Sequence, residues 1–285
     1  SNLTLPADSE IYFNGGSILN YSGAEVSLGK ILTLGGSGQL QNTNDLNLGA
    51  GGKLNLSEIS VAKVITSANS LGLEIEGDST ISNFVVGNIT PVSIASGKSL
   101  SGSIAVNTGG KLQFSNTGTL ASAISMNGGK LEAKESLTIS GELIQSGNIS
   151  IAVDSQKILT FDSNQILTEA NQLTIEGNGT VAFPTNASGI VLNNPAGLLR
   201  LEGSGTLDAA KVNAASDPGK GILVNETRTI TNLNISADTE LKIANGMTLY
   251  GSADVAANKT LSLNGTGTLN SALNLKGTLL AGANL

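Results

Sequence analysis

Three carboxylates recur along the chain at similar intervals, Asp154, Glu176 and Glu202, with Arg200 two residues before the last. Each follows the same local pattern of an apolar residue, any residue, a second apolar residue and then the acid. In an extended strand alternate side chains share a face, so each acid points away from the apolar pair. Strands stacked side by side at about 4.8 Å would turn the three acids into a ladder. Like charges that close repel, which raises a pKa or recruits a cation. A ladder of this kind could serve general acid–base chemistry, with Arg200 balancing the charge. A solvated polar face is the plainer expectation from the same residues.

A second candidate set lies where the intervals lengthen. One insertion runs from Phe183-Pro184 to Asn194-Pro195 and Gly197, and the next from Asn213 to Asp217-Pro218 and Lys220-Gly221. Together they hold three of the five prolines. Both follow the same local unit in successive copies, so both should emerge on one edge and touch. Insertions on repeat scaffolds are where binding surfaces are commonly built. Pro184, Asn194, Pro195, Asp217 and Lys220 are therefore the binding candidates.

Composition closes other routes. There is no histidine, cysteine or tryptophan, which excludes a Ser-His-Asp triad, thiol chemistry, disulfides and histidine-ligated metals. No cofactor is expected, and a cation at Asp154, Glu176 and Glu202 is the one position open to a metal. The net charge of −7 with only 15 Lys and Arg lacks a nucleic-acid footprint. No apolar run approaches the roughly 18 residues of a membrane span.

The residues above need elements to position them, and a repeat supplies these. Leu261-Ser262-Leu263-Asn264-Gly265-Thr266-Gly267-Thr268-Leu269 is apolar at positions one, three and nine, with turn-formers between. Thirteen copies follow one another, starting at Ile11, Leu32, Leu54, Leu73, Val92, Leu112, Leu131, Ile151, Leu173, Leu199, Ile222, Leu241 and Leu261. Their starts lie 19 to 26 residues apart, about 21 on average. Apolar-x-apolar is a short strand with two inward side chains, Gly-x-Gly is a corner, and position nine opens a further strand. Such a unit, with no helical period, predicts an all-β, single-stranded parallel β-helix of about 13 coils. Right-handed winding follows from the preference for right-handed crossovers. Like-on-like stacking of aliphatics also explains how a chain with 3% aromatics can form a core.

The whole of residues 1–285 is expected to be one β-helix domain. Tyr12, Phe13 and Tyr21 suggest an N-terminal cap near 11–31. The run from Leu279 to Leu285 still reads as repeat, which suggests a segment of a longer chain.

The Leu199–Leu207 and Leu261–Leu269 units resemble the β-helical passenger regions of bacterial surface and secreted adhesins, of autotransporter or filamentous-haemagglutinin type. That resemblance implies an extracellular or cell-surface segment with an adhesive or spacer role. Its partners would be a glycan, a matrix or another cell-surface protein, and no catalytic residue is carried over. A second expectation is a polysaccharide lyase or hydrolase, because outward carboxylates on a β-helix resemble the catalytic sites of pectin-degrading enzymes. In that case Asp154, Glu176, Glu202 and Arg200 would carry the chemistry.

Overall fold

The computed structural model describes residues 2–5, 7–26, 29–42, 45–167, 171–185 and 187–282. They form an all-β parallel solenoid without helix, and the chain groups into two compact units, Ser1–Ile144 and Gln145–Leu285. Within the first unit one row of seven parallel strands comprises Ser9–Phe13, Ile31–Gly36, Lys53–Ser57, Gly72–Ile75, Ile89–Ile94, Lys111–Phe114 and Lys130–Ala133. The second unit has its own row of seven: Ile149–Val153, Gln172–Gly177, Leu198–Leu201, Gly221–Val224, Thr239–Ile243, Thr260–Gly265 and Thr278–Ala281. All thirteen repeat copies begin on these front strands, and Thr278–Ala281 adds one more strand to the row. Residues 283–285, the end of the C-terminal run, lie outside the described residues.

Register follows the apolar positions. Leu32 pairs with Leu54, Leu54 with Leu73 and Leu73 with Val92, while in the second unit Leu173 pairs with Leu199 and Leu199 with Ile222. These aliphatic side chains are almost wholly buried, so each coil seals the next. Four pairings differ from the repeat alignment by two residues. Ser9 faces Leu32, Thr90 faces Leu112, Ile149 faces Leu173 and Thr239 faces Leu261. A slip of two keeps every side chain on its own face, so the apolar pattern cannot detect it. Thr90 is consequently buried, and its hydroxyl is satisfied by Thr66 Oγ1 at 2.6 Å.

Position nine needs correction in three copies. Val61, not Ala62, pairs with Leu40 and enters the core, whereas Leu19 and Leu269 are not fully buried. The nine-residue unit also stops short of a further inward pair in each coil. Val64 and Thr66, Phe84 and Val86, Ile104 and Val106 fill this third face in the first unit. Ala210 and Val212, Leu233 and Ile235, Ala253 and Val255 fill it in the second.

Corners are stitched by a short motif. In Ala7-Asp8-Ser9, Gly77-Asp78-Ser79 and Ala237-Asp238-Thr239 the hydroxyl donates two residues back, at 3.0, 2.9 and 2.8 Å. The aspartate Oδ1 accepts a backbone N–H from the next coil, from Ile31, Ser99 and Thr260 at 2.9, 2.8 and 2.8 Å. Many polar residues that a sequence reading leaves for function are thus occupied in closing coils.

Candidate functional site

The acidic ladder is not assembled as the repeat alignment implied. Because Ile149, not Ile151, faces Leu173, the residue opposite Glu176 is Ala152. Asp154 lies beyond the strand end, in a turn closed by Lys157 N–H donating to the Asp154 carbonyl at 3.0 Å. Glu176 and Glu202 do follow one another in adjacent coils, since Ile175 pairs with Leu201 and Glu202 N–H donates to the Ile175 carbonyl at 2.8 Å. Glu202 is engaged by Arg200, whose Nε donates at 2.5 Å, and by Asn225 Nδ2 at 3.2 Å. Two carboxylates, one of them paired to arginine, replace the expected row of three. Among the described residues no three acidic groups converge as a metal site would require.

The two Pro-bearing segments meet, with Asp217 N–H donating to the Pro195 carbonyl at 2.9 Å. Their Asn194–Gly197 and Asp217–Lys220 portions are four-residue turns of the kind that closes other coils, such as Asn107–Gly110. The extra length lies elsewhere. In the first segment it lies between Val181 and Ile190, where Ala187 N–H donates to the Pro184 carbonyl at 2.8 Å and Phe183 stacks on Phe161 at 5.6 Å. In the second it precedes Asp217. Both turns sit at the entry of the front strands, whereas Glu176 and Glu202 sit at the exit. A four-residue strand separates them, roughly 13 Å at the usual rise. Beside Lys220 lies a niche of about 100 Å³, with Gly219 N–H bonded to Glu240 Oε2 at 2.9 Å. Small-ligand sites are typically three or more times larger.

A larger concavity lies on residues that the sequence did not single out. A groove of about 510 Å³ crosses three successive coils of the second unit, lined by Asn232, Asn234, Ser252, Asp254, Ala272 and Asn274. The strands Arg228–Ile235, Thr248–Val255 and Thr268–Leu275 each bend between their two inward stretches. The bend has a local cause. Between Ile230 and Leu233 the first strand holds one extra residue against the second, and Gly251 adopts a φ of 117° there. A Cβ on Gly251 would overlap the Ile230 carbonyl oxygen, so only glycine fits. Beyond the bend, alternation puts Asn234, Asp254 and Asn274 in one outward row.

The polar atoms of this groove are only partly used. Asn274 Nδ2 donates to Asp254 Oδ2 at 2.8 Å, and Lys276 Nζ stands 3.5 Å from the same oxygen. Ser236 Oγ donates to Asn234 Oδ1 at 2.6 Å, and Asn232 Nδ2 reaches the Asp208 carbonyl at 3.4 Å. Among the described residues both N–H groups of Asn234 Nδ2 and one each of Asn232 and Asn274 remain as donors. Asn232 Oδ1, Asp254 Oδ1 and Asn274 Oδ1 remain as acceptors. Tyr250, two residues before Ser252 across the bend, is 42% exposed. The available signal in the sequence was the pairing of Ile230-Thr231-Asn232-Leu233 with Leu249-Tyr250-Gly251-Ser252 one coil later. It recurs as Ile81-Ser82-Asn83-Phe84 and Leu100-Ser101-Gly102-Ser103, where Gly102 has a φ of 111°.

Two charged groups are embedded by the fold. Arg228 is 1% exposed, and its Nη1 reaches the carbonyls of Glu202 at 2.8 Å, Gly203 at 3.1 Å and, more weakly, Ile175 and Gly177. It occupies the corner position that Gly179 and Gly205 hold in the two preceding coils, and its side chain lies back over their glycine corners. Burial lowers its pKa to about 10, against the opposing charge of Glu226. In the first unit Glu132 is nearly buried and accepts from Lys111 at 3.1 Å and Gln113 at 2.7 Å, with Lys134 at 3.3 Å. Burial alone would raise its carboxyl pKa, but Lys111, Gln113 and Lys134 together hold it below the ordinary value. Both arrangements stitch coils together.

The architecture and these surfaces define a parallel β-solenoid with an outward groove that carries polar side chains. No protein-family model matches the chain, no curated protein matches it, and no solved structure matches it. No helix of the described residues is long and apolar enough to cross a membrane.

Proposed function

We propose that this chain is a bacterial extracellular or cell-surface β-solenoid that acts as an adhesive, binding its partner through outward side chains. The observation that carries this reading is the groove from Asn232 to Asn274, where a built concavity holds polar atoms that the fold leaves unused. A solenoid suits the task because neighbour-on-neighbour stacking stabilises the coils, leaving outward positions open to variation. The test is binding of the labelled, purified chain to whole cells, extracellular matrix and a glycan array. Retention on any of these supports the reading. Empty results on all of them sink it and leave a mechanical spacer.

A lyase or hydrolase reading is weaker, because Asp154 is displaced from Glu176 and Glu202 is held by Arg200.

A further inference from the structure

We infer that the Asn232–Asn274 groove binds a neutral, hydroxyl-rich glycan chain lying across the coils. The inference rests on the adhesive reading above and names the ligand class of that same surface.

The atoms left unused are the first argument. Oxygens on Asn232, Asp254 and Asn274 accept, beside four amide N–H groups, two on Asn234 and one left on each of Asn232 and Asn274, and the Ser252 hydroxyl, which donates to the Thr231 carbonyl, can accept as well. A ligand satisfying this mixed set must both donate and accept at several points, which is what a run of sugar hydroxyls does. An acidic glycan would bring a carboxylate against the Asp254 carboxylate. Charge is what favours a neutral chain. Among the described residues Asp254 is the lone ionic side chain lining the groove, it is balanced by Lys276, and the chain as a whole carries −7.

Shape is the second argument. The groove spans three coils, about 10 Å between the outer two, and its volume of about 510 Å³ lies inside the range of small-ligand sites. The outward row Asn234, Asp254 and Asn274 repeats a polar contact at each coil, which suits a polymer with a regular unit. The exposed ring of Tyr250 stands on the same strand just across the bend.

The test uses the full chain against immobilised neutral hexasaccharides (β-1,4- and β-1,3-linked glucose, β-1,4-linked mannose) and matched uronic-acid hexasaccharides. Two variants report on the groove: N234A/D254A removes the polar side chains from two coils of its outward row, and A272F fills it from an exposed position without touching a hydrogen bond. N83A, at the corresponding bend of the first unit, is the control. The expected result is retention of at least one neutral hexasaccharide, weakened tenfold or more by both groove variants and unchanged by N83A. Circular dichroism identifies any variant that misfolds, and the other then decides. Binding that survives both groove variants, or a preference for the uronic acids, overturns the assignment. Binding to cells without retention of any neutral hexasaccharide overturns it while leaving the adhesive reading in place. No binding to cells, matrix or glycans ends both.

Discussion

Arg228 is the sharpest test of how the coils are held. Replacing it with alanine leaves the carbonyls of Glu202 and Gly203 without the donor they have at 2.8 and 3.1 Å. The Ile175 and Gly177 carbonyls keep backbone donors, Glu202 N–H at 2.8 Å and Gly205 N–H at 3.3 Å. Two orphaned, part-buried acceptors cost about 1–3 kcal/mol each, and the void left by the side chain adds about 2 kcal/mol. Against this, the charge itself is a burden. The fall in pKa from its ordinary value to about 10 corresponds to about 3 kcal/mol of unfavourable burial that the substitution removes. The net expectation for Arg228→Ala is a loss of about 3 kcal/mol. Arg228→Met fills the void and sheds the charge, so its loss should be about 1 kcal/mol. Urea denaturation followed by circular dichroism at pH 7 measures both. Amide hydrogen exchange at Gly203 and Gly205 shows whether the effect starts at the corner. The reasoning fails if alanine costs less than about 0.5 kcal/mol, or if methionine costs as much as alanine.

Three further outcomes follow from the same geometry. Gly251→Ala should destabilise by about 2–3 kcal/mol, because φ is 117° and the new Cβ would meet the Ile230 carbonyl. Gly246→Ala, with a φ of 73° and open space around the new Cβ, should cost only about 1 kcal/mol. Thermal melts of the pair separate clash from backbone strain. Glu132 has its pKa lowered in the fold, so its ionised form favours the folded state. That contribution is complete above the ordinary value near 4.5 and disappears as pH falls through the lowered one. The stability gap between wild type and Glu132→Gln should therefore be widest above about pH 5 and close on acidification, as read from denaturant titrations across that window. Asp238→Ala removes the acceptor for Thr260 N–H at 2.8 Å. It should cost about 1 kcal/mol, with faster exchange of that amide as the local signature.

The period of the apolar residues determined the fold class without help. Strand side chains alternate, glycine pairs turn corners, and a regular interval returns the chain to the same face, so all thirteen copies begin on front strands. Register was another matter. Moving by two residues preserves inward and outward faces, and Asp154 was set level with Glu176 although Ala152 is its true neighbour. No local pattern separates those alternatives; only the packing of one coil on the next does. The same limit applies to function. Asn234, Asp254 and Asn274 are ordinary outward residues in the sequence, and a bend imposed by Gly251 against Ile230 gathers them into a groove. No sequence pattern singles out Arg228, yet the glycine corners of two preceding coils leave the space that buries it. Composition and spacing determined that coils would form. Tertiary stacking decided which side chains meet, because those meetings are between residues a full coil or more apart in the chain.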